Sequence, residues 1–210
     1  MSKNYPTFVL SGMSGTGKSC IIEDARSMGF KVLRSFNKIL LDTSMGDGVP
    51  LHTNLIADAY MQAYHIYDYA RSEINEYPLM IERSLLDHYF YLIKVSGYEQ
   101  SIKEYQDMID KLSIYFKFIT NYFSKKLILI EINNYDTKWI NQSLSENEHR
   151  KSIFNNDKVY LEYQKEYRMW IISMMNILNI PYDSINLDIH KVDKEFTAEI
   201  RRSFINKLIK

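Results

Sequence analysis

The stretch Gly12-Met13-Ser14-Gly15-Thr16-Gly17-Lys18-Ser19 fills every position of the pattern G-x-x-x-x-G-K-[ST]. With ordinary residue frequencies such a match arises by chance in about one chain of this length in a hundred, so its setting has to decide. Thr7-Phe-Val-Leu-Ser11, just before it, is a short apolar run that reads as a buried strand. Lys18 to Met28, just after it, reads as a helix ended by Gly29. In a Gly-rich turn between strand and helix, consecutive backbone N–H groups curl inward and the helix N-terminus adds the positive end of its dipole, which together cradle an anion. Gly12, Ser14, Gly15, Thr16, Gly17, Lys18 and Ser19 are therefore the expected cofactor-binding residues. Lys18 is expected on the β- and γ-phosphates of ATP and the Ser19 hydroxyl on Mg²⁺.

Outward from this loop, strands and helices alternate. Phe30 to Arg34 reads as a second strand, and residues 35 to 52, with Gly46-Asp-Gly48 and Pro50, as mostly loop. Thr53 or Asn54 caps a long helix to about Asn75, and Pro78 to Glu82 is a third strand. Helix returns from Ser84 and again from Ser101 to Phe123. Lys126 to Ile132 is apolar but for Lys126 and Glu131, as a strand covered on both faces should be. A polar stretch from 133 to 157 is followed by a helix from Lys158 to Leu178, a strand from Tyr182 to Leu187 and a closing helix from Lys194. This alternation predicts a three-layer α/β/α fold around a central five-stranded parallel sheet, in one domain over 1–210 with a lid segment at about 136–157.

Composition narrows the function classes. The chain has 210 residues, 46% apolar and 25% charged, enough for one substantial core. Lys plus Arg and Asp plus Glu both number 26, so the net charge is zero. Duplex binding as the main task, which calls for a basic face, is disfavoured. The single cysteine, Cys20, excludes an internal disulfide and suits a reducing compartment; at its place in the first helix it is expected to be buried. No apolar run reaches the length of a membrane span, and a cytoplasmic location is expected. His52, His65, His88, His149 and His190 have no ligand-like spacing, so a metal-centred hydrolase is not supported.

Three further segments carry chemistry. Glu82-Arg83-Ser84 closes the third strand, and in an open parallel sheet ligands collect at the carboxyl ends of the strands. Lys18, Glu82 and Arg83 are the expected catalytic residues, and Ser19 and Glu82 the expected metal ligands. Glu82 holds the Mg²⁺ shell or acts as a base; Arg83 neutralises charge on the transferring group. Within the long helix, Tyr60 and Tyr64 are one turn apart with Gln62 between them, a pattern that pairs an amide with a base edge while the rings wall the pocket, or that simply packs. In the polar stretch, Arg150 and Lys151 either fold over ATP or form a solvated charge run.

Taken in order, these segments resemble the deoxynucleoside kinase family and its thymidylate-kinase-like relatives, over most of residues 5 to 190. Glu82-Arg83-Ser84 looks like the family's Glu-Arg-Ser signature, and Tyr60-Met-Gln62-Ala-Tyr64 is similar to its helix with the base-reading glutamine. Tyr160 to Trp170 resembles the Tyr-Leu-Glu helix after the family's lid. Glu82 to Asp87 also looks like the matching stretch of P-loop proteins related to nicotinamide-riboside kinases. The resemblance implies a (deoxy)nucleoside or nucleoside monophosphate acceptor, thymidine-type or a modified pyrimidine, bound by Tyr60, Gln62 and Tyr64; Arg34 is expected beside them, and Arg150 on ATP, from their own chemistry.

The chain departs from that pattern twice. Where the family carries a Glu-Pro pair, with Glu as general base, it reads Leu33-Arg34-Ser35-Phe36, and Ser143 to Ile153 is poorer in arginine than the family lid. A nucleoside acceptor then needs Asp42 or Glu82 as base, whereas a phosphate acceptor needs none and suits a cation at Arg34. The alternatives are a kinase acting on a polynucleotide or a modified base in DNA, and a P-loop ATPase switch acting on a protein partner. Ser101 to Phe123, apolar at helical spacing, packs on the core or on a second subunit, which leaves a homodimer open.

Overall fold

The computed structural model describes residues 7–13, 15–34, 64, 77–90, 110, 127–133, 137–146, 151, 154–179, 182–186 and 194–209. In chain order these form β1 (Thr7–Ser11), α1 (Lys18–Ser27), β2 (Lys31–Leu33), β3 (Leu79–Glu82), α2 (Leu85–Phe90), β4 (Leu127–Asn133), α3 (Thr137–Ser145), α4 (Asp157–Leu178), β5 (Tyr182–Asn186) and α5 (Lys194–Leu208). The expected helices over 53–75 and 101–123 and the loop over 35–52 lie almost wholly outside the described residues.

The described strands form one sheet in the order β2-β3-β1-β4-β5, every neighbouring pair parallel. From β1 the chain crosses to β2 on one side, and from β3 it crosses to β4 on the other. The carboxyl ends of β1 and β3 therefore border the place where the winding reverses, where open α/β sheets leave a crevice. Register brings the two ends level: Leu10 pairs with Glu82, and Arg83 N–H donates to the Leu10 carbonyl at 2.8 Å.

Alternation along β1 assigns the layers, since successive side chains point to opposite faces. Phe8 and Leu10 join Met80, Ile130, Ile21, Ile22, Ala25, Phe30 and Ile205 in one buried cluster, which places α1 and α5 on that face. The Arg201 side chain donates to Asp24 at 2.5 Å and ties the two helices together. Ser11, of opposite parity, meets Tyr167 of α4, so α4 covers the other face with α2 against it. The α/β architecture with a parallel sheet is the one expected from the sequence.

Helix ends follow local chemistry. Helix α1 closes with Gly29 at φ 88°, where Phe30 N–H reaches back to the Ala25 carbonyl at 3.0 Å. Helix α4 starts at Asn156, whose side chain accepts from Val159 N–H, and ends at Asn179 in the left-handed region.

Two expectations need correction. Cys20 is exposed: α1 turns Lys18, Ile21, Ile22 and Ala25 inward, and at helical spacing position 20 falls off that stripe. The polar stretch 133–157, to which the sequence reading assigns no element, contains helix. Its first part is α3, which buries Ile140 and Leu144 and packs on α4. Ile140 and Leu144, four apart, fall on one face of the helix and seat it.

At Gly29 a side chain would meet nothing within 4 Å, so a substitution there is opposed only by backbone strain. Gly29→Ala should cost about 1 kcal/mol in urea unfolding, and Gly29→Asn less than that.

Candidate active site

The phosphate loop is shaped by its own backbone and by Lys18. Thr16 Oγ1 donates to the Met13 carbonyl at 2.9 Å and draws the loop into a tight turn. Gly17, at φ 94°, is the N-cap of α1, a conformation that a β-carbon would oppose. Lys18 is 4% exposed. Its Nζ donates to the carbonyls of Gly12 at 2.6 Å and Met13 at 2.7 Å, so the cation is held under the loop by the loop's own oxygens. The N-terminus of α1 and the Lys18 cation thus belong to one short loop, an arrangement suited to a polyphosphate.

Next to the loop, Ser19 Oγ donates to Glu82 Oε1 at 2.6 Å. The Leu10–Glu82 register makes this contact by carrying the end of β3 alongside the end of β1. Glu82 is buried, and a serine hydroxyl with a carboxylate forms a hard-oxygen pair of the kind Mg²⁺ takes. No group of three or more His, Cys, Asp or Glu gathers among the described residues.

Arg83 follows at φ 75°, an uncommon conformation for a residue with a β-carbon and one that costs on the order of 1–3 kcal/mol. The bend turns the chain out of β3 so that Ser84 starts α2. It leaves Arg83 half-exposed at the same sheet edge as Glu82.

Sequence reasoning missed the residue that joins these parts, Asp87. It is fully buried in α2 and accepts hydrogen bonds from three separate segments. Ser11 Oγ donates to Oδ2 at 2.7 Å and Gly12 N–H to Oδ1 at 3.0 Å. Ser84 donates to Oδ2 through N–H at 2.5 Å and through Oγ at 2.7 Å, and the Tyr167 hydroxyl donates to Oδ1. Burial alone would raise the carboxyl's pKa. The Lys18 and Arg83 cations, with the Gly12 N–H and Tyr167 O–H bonds, outweigh it and hold the carboxyl below the usual aspartate range. A signal was present in the sequence: Ser84-x-x-Asp87 before an apolar run is a capping box, and Asp87 N–H returns a bond to Ser84 Oγ at 3.2 Å. Nothing local says that the same carboxylate also reaches β1 and α4.

The other expected residues fall as follows. Gly12, Gly15, Thr16, Gly17, Lys18, Ser19, Glu82 and Arg83 come together at the ends of β1 and β3. Gly12 offers its N–H to Asp87 and its carbonyl to Lys18. Arg34 follows β2, whose Leu33 pairs with Ile81, so it stands on the same edge of the sheet; its Nε lies 3.8 Å from Glu23 Oε1. Tyr64 is helical and 62% exposed. Ser14, Asp42, Tyr60, Gln62 and Arg150 lie outside the described residues, whereas Lys151 is described, helical and exposed.

No protein-family model and no curated protein matches the chain. Solved structures do. A deoxyadenosine kinase from M. mycoides, with products dCMP and a flexible dCDP bound, superposes with a TM-score of 0.56 at 15% identity, over 96% of this chain and 99% of that one. The thymidylate kinase from Ehrlichia chaffeensis superposes with a TM-score of 0.53 at 13% identity, over 98% and 100%. This chain has the fold of P-loop nucleoside and nucleotide kinases. At these identities the likeness extends to the fold and no further. The strand order, the loop between β1 and α1 and the buried lysine beneath it all agree with that fold. No helix among the described residues is long and apolar enough to cross a membrane.

The direction of the Asp87 shift sets a pH dependence. Its carboxyl binds a proton more weakly in the folded chain than in the unfolded one. Its stabilisation is therefore complete above the unfolded value of about 3.9 and is lost as pH falls through the lower folded value. In urea titrations between about pH 5 and pH 2, the wild type should lose stability more steeply than Asp87→Asn. At neutral pH that variant should be less stable by about 3 kcal/mol.

Proposed function

We propose that the chain is an ATP-dependent kinase that transfers the γ-phosphoryl group to a (deoxy)nucleoside or a nucleoside monophosphate. The observation that carries this reading is the 2.6 Å bond between Ser19 and Glu82. It joins the phosphate loop to a buried carboxylate from the neighbouring strand and so pairs an anion cradle with a place for a divalent cation. When bound, Mg²⁺ supplies charge neutralisation on the phosphate oxygens, with Ser19 and Glu82 as the residues that hold it.

The remaining roles belong to the chain's own groups. The loop amides and Lys18 hold the transferring end of ATP; the Lys18 ammonium, bonded to the Gly12 and Met13 carbonyls, exchanges those oxygens for phosphate oxygens as ATP binds. Arg83 carries a second cation to the same edge. Transfer of a phosphoryl group asks a protein mainly for alignment and charge stabilisation, and these groups supply both.

For the acceptor, we favour one that is already phosphorylated. Arg34 stands on the edge of the sheet that ends in Glu82 and Arg83, where the family pattern has a carboxylate. A guanidinium there receives an anionic acceptor and cannot serve as a base. Glu23 offsets part of its charge. An acceptor phosphate would compete for the guanidinium, so Glu23 keeps Arg34 oriented without removing it from the site. By resemblance the base is thymidine-type or a modified pyrimidine. Tyr60, Gln62 and Tyr64 are proposed to read it, and the 136–157 segment with Arg150 to close over ATP. A cytoplasmic setting accords with this role.

The test is coupled ADP release with Mg-ATP against a panel of nucleosides, their 5′-monophosphates, nicotinamide riboside and DNA oligomers. A monophosphate should stimulate turnover most. Lys18→Ala should lower that turnover by roughly 10²–10³-fold. Arg34→Ala should raise KM for the monophosphate by about tenfold or more while leaving KM for ATP nearly unchanged. Stimulation by nucleosides alone would overturn the phosphate-acceptor assignment, and turnover that needs no acceptor would overturn the kinase reading.

A further inference from the structure

A capping box explains only part of what Asp87 does. Capping α2 uses one carboxylate oxygen, Oδ2, and the backbone and side chain of Ser84. The other oxygen, Oδ1, faces the phosphate loop and accepts from Gly12 N–H at 3.0 Å and from the Tyr167 hydroxyl. An ionised carboxylate only accepts hydrogen bonds, so each of these groups is oriented as a donor. The Gly12 residue is thereby held at both of its polar groups: the N–H by Asp87, and the carbonyl by Lys18 Nζ at 2.6 Å.

Tyr167 is itself fixed. It is 1% exposed, and its ring packs edge-on to Phe90 with centroids 5.1 Å apart. Its hydroxyl lies 2.6 Å from Ser11 Oγ, at the last residue of β1. Further along α4, Trp170 Nε1 donates to the Leu86 carbonyl at 3.4 Å. Helix α4 is thus seated on α2 on both sides of Asp87. A tyrosine that served packing alone would not need its hydroxyl there.

We propose that Asp87 and Tyr167 are a positioning pair that holds the Gly12 peptide, and through it the Lys18 ammonium, in the geometry that receives a nucleoside triphosphate. The inference rests on reading residues 12–19 as a phosphate loop. Neither residue touches the nucleotide; both act through Gly12. The pair also makes α4, the helix that follows the 136–157 segment, part of the support of the loop.

The experiment uses the full ¹⁵N-labelled chain, with the Kd for Mg-ATP and the Gly12 amide resonance as readouts. Tyr167→Phe keeps the ring and removes one oxygen, so it should fold. It should raise the Kd about five- to tenfold and move the Gly12 resonance. Asp87→Asn should raise the Kd further and shift the Gly12 amide proton upfield, because a neutral oxygen is a weaker acceptor. The double variant should bind no more weakly than Asp87→Asn alone, since both act through one contact.

Single variants that melt earlier yet keep the wild-type Kd would overturn the proposal and leave a purely structural cluster. An unmoved Gly12 resonance in Tyr167→Phe would overturn it as well. A wild-type chain that binds no Mg-ATP, while its Gly12 resonance still moves in both variants, would retire the phosphate-loop reading and leave the hold on Gly12 intact.

Discussion

A buried carboxylate must collect hydrogen-bond donors, and the site is built around that need. Taking an aspartate out of water costs several kcal/mol unless its oxygens are bonded and opposite charges stand near. Asp87 meets the requirement by drawing on β1, the first peptide of the loop, the start of α2 and the middle of α4. Two of those donors, Ser11 and Gly12, lead directly into the loop whose carbonyls hold Lys18. Stability and site geometry are therefore coupled in one contact set, and the charge on Asp87 is part of the field that Lys18 and Arg83 experience.

The second constraint is register. Side chains alternate along a strand, so a one-residue slip between β1 and β3 would turn Glu82 to the opposite face and open the Ser19 contact. The buried faces prevent that slip. Phe8, Leu10 and Met80 must all enter the α1–α5 layer, and with them fixed, Glu82 has one place to go. Arg83 then leaves the strand in a strained conformation that the surroundings sustain.

Much of this was legible in the amino-acid order because it is local. The loop motif, the apolar runs of β1, β3 and β4, and the Gly29 stop each lie within a few residues of what they decide. The extents of α4 and β5, read as 158–178 and 182–187, differ from the observed ones by one residue each. What escaped was long-range. Ser84-x-x-Asp87 announced a helix start, but its link to Tyr167 spans α2 and α4 and has no local signature. The 136–157 segment read as polar because the buried Ile140 and Leu144 of α3 are set among largely polar residues. Cys20 was misplaced because a 10-residue helix buries one stripe, and Lys18, drawn under the loop by carbonyl oxygens, occupies part of it.

Structural likeness at 13 to 15% identity supplies the fold, so the case for chemistry rests on the chain's own groups around the loop. The most direct measurement is a crystal structure of the protein with Mg²⁺ and a non-hydrolysable ATP analogue. The account predicts the β-phosphate ringed by the amides of the loop, the Lys18 ammonium on the phosphate oxygens, and the metal about 2.1 Å from Ser19 Oγ. An analogue seated away from residues 12–19, or a metal that ignores both Ser19 and Glu82, would contradict it.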